Sequence, residues 1–185
     1  MLSNVVTRIS LIGLLAFQAG CDSTALAGKQ HSLPELQDLQ SLGAQAKANE
    51  LPIMLMFSAQ WCDYCVLLKE QVLNPMSING LYEGKVMYLR NVAIDEDDPI
   101  PDWQGKPLKK RDWAYQINAD LTPTIVFFDG HGKEVAERIV GISEVTMFAG
   151  VVHNRLNQAY QNMGLQKRIP ATPELLEIQQ QMPPQ

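Results

Sequence analysis

Ile53-Met54-Leu55-Met56-Phe57-Ser58, followed after Ala59 and Gln60 by Trp61-Cys62-Asp63-Tyr64-Cys65, is the stretch whose reading decides the fold. Six residues rich in bulky apolar side chains predict a buried strand, and residues 62–74 predict a helix that Pro75 stops. Cys65, Leu68 and Val72 then fall on one apolar face of that helix. Two cysteines three apart in a first helical turn can reach each other, because a disulfide needs Cα atoms roughly 5.5 Å apart. The free N–H groups of a helix N-terminus carry roughly half a positive charge, a field that stabilises a thiolate. Such a field lowers a thiol pKa from about 8.5 into a range of ~3.5 to 7.5. Cys62, at the start, receives most of it and is expected to be the exposed nucleophile. Cys65, one turn in and facing the core, is expected to be the resolving thiol.

Two other readings of the pair are weaker on physical grounds. A structural disulfide closed over two intervening residues constrains the unfolded chain little. A zinc half-site needs two further ligands, and Cys21, His31, His131 and His153 are scattered singly without ligand spacing. The expectation is therefore a redox pair, with no metal and no cofactor beyond the Cys62–Cys65 disulfide.

With these residues in view, the chain resembles the thioredoxin-fold family, most closely its exported bacterial thioredoxin-like members. Residues 57–65 are similar to the family's strand–tryptophan–Cys-x-x-Cys signature. Leu121-Thr122-Pro123-Thr124-Ile125-Val126-Phe127-Phe128-Asp129-Gly130 is similar to its second signature, a threonine and cis-proline leading into a strand. Val140-Gly141 before the last helix is a weaker third match, and the resemblance runs roughly over residues 32–160. It implies an α/β thioredoxin fold: a central mixed sheet flanked by helices, here with an extra N-terminal helix and a C-terminal tail. It also implies a cis Pro123 lying against the dithiol, where the Thr122 backbone can pair with a substrate strand. Trp61 would shield the thiolate and offer an apolar docking surface, with plain packing as the alternative. One departure stands out: reducing thioredoxins carry a buried aspartate six residues before the first cysteine, and here that position is Met56, which cannot accept a proton.

The formal net charge of −5, with no basic stripe, gives no support for nucleic-acid binding. Residues 1–27 read as a secretory signal rather than as fold. Arg8 precedes a short apolar core at residues 9–17, too short for an ordinary membrane span, and small residues follow. Ala25-Leu26-Ala27 offers a cleavage site that leaves a soluble chain, whereas Ala19-Gly20-Cys21 resembles the end of a lipoprotein box in which Cys21 is acylated. Both routes lead to the periplasm, where disulfide chemistry has a purpose, and any membrane association would come only through that anchor or the signal. Residues 28–162 form the expected domain and residues 163–185 a Pro/Gln-rich tail.

Within the domain, residues 32–49 predict an amphipathic helix, and residues 86–94 a second strand. Residues 95–112, opening on Asp95-Glu96-Asp97-Asp98 and carrying three prolines, predict a long solvated loop in which Trp103 is an exposed contact residue. Residues 112–117 predict a short helix and residues 124–128 a buried strand. Residues 129–132 then predict a turn into an antiparallel strand over 134–140, with His131 exposed. Ser143 is placed to cap a final helix with the stripe Val145, Phe148, Val152, Leu156 and Ala159, His153 lying off the stripe towards solvent. The tail, with one helical possibility at residues 174–181, is expected to be loosely attached.

The expected activity is thiol–disulfide exchange with protein or peptide partners and a further redox partner. The alternative is a redox-inactive module that holds an extended polypeptide in the same groove. Direction follows from local charge. Asp63 opposes the Cys62 thiolate, and Tyr64 adds no charge at neutral pH. The potential is therefore expected closer to about −270 mV than to about −120 mV, the reducing or isomerising side.

Overall fold

The computed structural model describes residues 32–182. The sheet is built around strand β1 (Ile53–Ser58), every residue of which is buried. It pairs in parallel with β2 (Tyr88–Ala93) and antiparallel with β5 (Thr124–Phe128), which in turn pairs antiparallel with β6 (Ile139–Val140). The strand order is β2-β1-β5-β6, a mixed sheet. Burial on both faces explains why β1 and β5 are nearly continuous in apolar residues rather than alternating.

Helix α1 (Leu39–Asn49) and α4 (Lys110–Gln116) lie on the face that carries Phe57 and Phe128. Trp113 of α4 meets Phe57 with ring centroids 5.1 Å apart. The opposite face carries a second layer of two long helical units. One is a single helical run in three parts: α2 (Asp63–Leu68), a π turn (Lys69–Leu73) and α3 (Asn74–Ile78). The other is α5 (Phe148–Asn162), whose buried side is Phe148, Val152, His153, Leu156, Ala159 and Tyr160.

Several sequence expectations are corrected by packing. The first helix does not begin at residue 32. Residues 32–38 are extended, and the segment docks on the free edge of β2: Leu36 N–H donates to Asn91 O (2.7 Å) and Asn91 N–H to Pro34 O (2.7 Å). Asp38 is the true N-cap, its carboxylate accepting from Ser41 N–H at 2.8 Å. Nor does Pro75 stop the active-site helix. The π turn lets Asn74 N–H donate to Lys69 O, and this wider turn accommodates a residue that lacks an N–H, so the helix continues to Ile78.

The long acidic loop contains a small hairpin, β3 (Ile100–Pro101) with β4 (Pro107–Leu108). Trp103 at its tip is not a free contact residue. Its ring lies 5.6 Å from that of Phe128, over Gly132, where a Cβ would meet the indole at 2.7 Å. Gly132 also has φ +86°, so its lack of a side chain serves both the turn and the tryptophan. The expected strand over 134–140 is reduced to β6 and an isolated bridge between Phe128 and Glu134. Ser143 does not cap the last helix, which starts later with Met147 at its N-cap. His131 is exposed.

The largest corrections concern His153 and the tail. His153 is fully buried: its Nε2 lies 2.7 Å from the Tyr82 hydroxyl and its Nδ1 2.6 Å from Pro170 O. A carbonyl can only accept, so Nδ1 carries the proton and Nε2 accepts from Tyr82. Asn157 clamps Ile169 on both sides, donating to its carbonyl at 2.8 Å and accepting from its N–H at 2.9 Å. Thr172 then caps α6 (Pro173–Gln181), and Leu176 of that helix is 1% exposed. The tail is thus part of the core. Proline and glutamine content concealed this, because of the tail's described residues only Ile169 and Leu176 are fully buried apolar side chains, with Met163 and Leu165 packed partly against the core. Among the described residues no helix is long and apolar enough to cross a membrane.

Burial lowers the His153 pKa below its ordinary value, the Pro170 carbonyl and Glu174 opposing this only in part. Its folded pKa being lower than its unfolded one, the unfolded chain binds the extra proton. Stability is therefore full above pH of about 6.5 and falls as pH drops below that value. Urea titrations between pH 7.5 and 5 are expected to show this loss, and His153→Gln to flatten the slope over that window. An unchanged slope in the variant would remove His153 as its source.

Candidate active site

The antiparallel register pairs Phe57 with Thr124, so the chain leaving β1 and the chain entering β5 lie at the same end of the sheet. The end of β6 joins them, with Thr124 opposite Val140 and Gly141 N–H donating to Pro123 O at 2.8 Å. The topology therefore brings together three segments distant in sequence: residues 59–65, 121–123 and 140–141.

Cys62 and Cys65 form a disulfide with Cα atoms 5.2 Å apart. Cys62 is the N-cap of α2 in extended conformation, and its Sγ accepts from the Cys65 N–H at 3.1 Å. That hydrogen bond, with the dipole behind it, is the local device for holding negative charge on Cys62 once the disulfide is open. Both cysteines are buried in the disulfide form, Cys62 at 6% exposure and Cys65 at 0%, so Cys62 is the less enclosed of the two but not the exposed residue the sequence predicts. Asp63 is exposed on the first turn of α2.

Around the pair, Trp61 is 70% and Tyr64 65% exposed, and Leu121 lies open next to Thr122. These three large side chains stand in water at this end of the sheet instead of joining a packing layer. The Thr122–Pro123 peptide is cis. Pro123 is buried, while Thr122 is half-buried with its Oγ1 enclosed and without a hydrogen-bond partner. Cys21 lies outside the described residues. Among the described residues no group of three or more His, Cys, Asp or Glu side chains is arranged to hold a metal ion.

Two features at this end of the sheet escape a reading by sequence. Asp95 accepts from Gln60 N–H at 2.8 Å, pinning the loop that carries Trp61 to the end of β2. In the sequence it is one carboxylate in an acidic run, and only the strand pairing singles it out. The second is a polar chain across three adjacent segments, buried at Ser58 and Asn91 and ending on the exposed Glu35. Ser58 donates to Asn91 Oδ1 at 2.7 Å, and Asn91 Nδ2 donates to Glu35 Oε1 at 2.7 Å. Glu35 was hidden inside a predicted helix that begins only after it.

A mixed sheet with a Cys-x-x-Cys disulfide at the head of a crossover helix, beside a cis-proline, defines a dithiol–disulfide protein of thioredoxin architecture. A family model described as a thioredoxin-like domain matches residues 39–155, and the chain belongs to that family. Among curated proteins it is similar to the thiol:disulfide interchange protein DsbD of Cronobacter sakazakii, 30% identical over 65% of this chain and 19% of that protein. It is also similar to the DsbD of Salmonella choleraesuis, 26% identical over 67% of this chain and 20% of that one. The chain thus spans about a fifth of the length of these relatives. Among solved structures, one titled DsbH oxidoreductase covers 69% of this chain and 87% of its own at 19% identity, with a TM-score of 0.49.

Proposed function

We propose that this protein is an exported thiol–disulfide oxidoreductase that reduces or isomerises disulfides of protein or peptide partners in the periplasm. The observation that carries the reading is Cys62 as N-cap of the helix, its Sγ hydrogen-bonded by the Cys65 amide, at the end of the sheet where the cis Thr122–Pro123 peptide and the exposed Trp61 and Tyr64 also lie. In the reduced protein the Cys62 thiolate attacks a substrate disulfide, one substrate sulfur leaves as thiolate, and a mixed disulfide forms. Cys65, deprotonated, then attacks Cys62 Sγ, and the second substrate sulfur leaves. Two electrons pass to the substrate, and the Cys62–Cys65 disulfide is regenerated to dithiol by a partner dithiol donor.

The Thr122 backbone beside cis-Pro123 is suited to pair with the extended substrate segment, with Trp61 and Tyr64 against its side chains. Export rests on the sequence of residues 1–27, either with cleavage after Ala27 or with lipid on Cys21. Turbidimetric insulin reduction with dithiothreitol tests the activity. A rate above background is expected, whereas a groove that only binds would add none.

Direction has its own test. Asp63, exposed on the first turn, places a carboxylate next to the Cys62 thiolate and destabilises the reduced form slightly. Asp63→Asn is expected to shift the potential by a small amount in the oxidising direction, read by equilibration against glutathione. A variant with the wild-type potential would remove Asp63 from the tuning of the pair.

A further inference from the structure

The end of the sheet that carries the disulfide is apolar at its surface, and the charges around it are largely of one sign. Trp61, Tyr64, Leu121 and Val140 are each more than half exposed, and the strand pairing brings their segments together. Asp63 adjoins Cys62 and is exposed on the first turn of α2. On the other side of Trp61, Gln60 N–H donates to Asp95 Oδ2 at 2.8 Å, and Ile94 N–H donates to Ser58 O at 2.8 Å. These two bonds tie the corner after β2 to the loop that carries Trp61. The exposed Asp97 and Asp98 follow that corner directly, and Asp120 immediately precedes Leu121.

Cations at this end are fewer and mostly engaged. Lys110 is buried and paired with Glu96. Arg111 is exposed, its Nε donating to Ile94 O at 3.4 Å, and Lys109 is offset by Asp112 on the same turn of α4. Along the active-site helix the first cation is Lys69, beyond α2. Among the described residues, Asp63, Asp97, Asp98 and Asp120 enter no ion pair. At the opposite end of the sheet the sign reverses. The Lys167 ammonium donates to Lys85 O, with Arg168 beside it, where the chain enters β2 from the end remote from Asp95. Glu83 at that end is taken up by Arg90. The negative charge of the domain is thus gathered where a partner must approach sulfur.

We propose that the dithiol face docks polypeptides whose reactive cysteine is flanked by lysine or arginine. Apolar neighbours of that cysteine lie on Trp61, Tyr64 and Leu121, and the cationic side chains reach Asp63, Asp97 and Asp98. This names the substrate class of the activity proposed above and rests on that reading. The apolar side chains supply contact area that any extended polypeptide uses, so they discriminate little. The carboxylates supply the discrimination: an acidic segment meets like charge on approach, whereas a basic one is drawn towards the face and held in register. Asp95, fixed by Gln60 N–H and only partly exposed, adds to the field without being a contact group.

The test is the first attack alone, in the full chain carrying Cys65→Ser and Cys21→Ser, which leaves Cys62 as its one thiol. The probes are short single-cysteine peptides, identical except that lysines or glutamates flank the cysteine, each held as the mixed disulfide with thionitrobenzoate. The Cys62 thiolate attacks the peptide sulfur, a Cys62–peptide disulfide forms, and thionitrobenzoate leaves with the electron pair, its colour giving the rate. Each rate is divided by that of the same peptide with 2-mercaptoethanol, which removes the peptide's own reactivity. At low ionic strength the lysine peptide is expected to react about tenfold faster than the glutamate peptide, a ratio falling to about twofold in about 0.5 M salt. Asp97→Asn with Asp98→Asn leaves the dithiol and Asp63 untouched and should lower the low-salt ratio about threefold. Equal rates for the two peptides, or a ratio that neither salt nor the double variant changes, would overturn the proposal. The first attack does not depend on turnover. A protein inactive on insulin that shows the salt-sensitive preference would refute the proposed function and leave this charge preference standing, and one active on insulin without the preference would do the reverse.

Discussion

Cys62→Ser is expected to reduce insulin reduction to the uncatalysed rate, while Cys65→Ser accumulates mixed disulfides with its substrates. The two cysteines are three residues apart, yet their surroundings differ in kind. Cys62 precedes the first turn, its Sγ accepts from the Cys65 amide at 3.1 Å, and it is the less enclosed of the two. A serine there is deprotonated far less readily than a thiol and is a far weaker nucleophile towards a disulfide. Cys65 is shut inside the core and can reach only Cys62. Removing it leaves the first attack intact and abolishes resolution, so bound substrate is retained covalently. Iodoacetamide labelling of the reduced protein at pH 6, read by mass spectrometry, checks the assignment. Cys62 should be modified first, and faster labelling of Cys65 would reverse the roles. The trapped partners of Cys65→Ser would also name the substrates.

Ending the chain at Gly164 is expected to cost several kcal/mol of stability. Ile169 and Leu176 are both buried, and each contributes roughly 1.5–3 kcal/mol by leaving water. The truncation also removes Pro170 O from His153 and both backbone partners of Asn157. His153 and Tyr160, now enclosed, would face water, and the Tyr82–His153 pair would lose its cover. At roughly 2–4 °C per kcal/mol for a domain of this size, the thermal midpoint should fall by about ten degrees. Leu176→Ala in the full chain isolates the apolar part and should cost about 2–5 kcal/mol. Circular dichroism melts of both proteins measure the difference. A truncated chain that melts with the intact one would show that residues 165–182 contribute nothing to the core.

The sequence by itself determined the parts whose physics is local. Residues 53–58 and 124–128 are apolar on both sides because a central strand is covered on both faces, and that pattern needs no partner to be read. Cys62 and Cys65 declare a helix start and a closable pair through spacing alone, and the site at the head of β1 follows from them. What depends on distant partners stayed hidden. Residues 32–38 have the composition of a helix start, yet the open edge of β2 outcompetes helix formation by offering ready-made hydrogen bonds to Leu36 and Pro34. Pro75 signals a stop, but a π turn absorbs its missing donor. Trp103 looks like a contact residue until Phe128 and Gly132 close around it. His153 reads as solvent-facing in the sequence, yet it lies on the buried side of its helix, because Tyr82 and Pro170, from elsewhere in the chain, satisfy its polar atoms. Asn91, buried in β2, likewise finds its partners Ser58 and Glu35 only across strands and the sheet edge. A buried polar group is legible only once its partners are known, since burial without them is too costly to predict and with them costs little, and those partners are set by the tertiary fold.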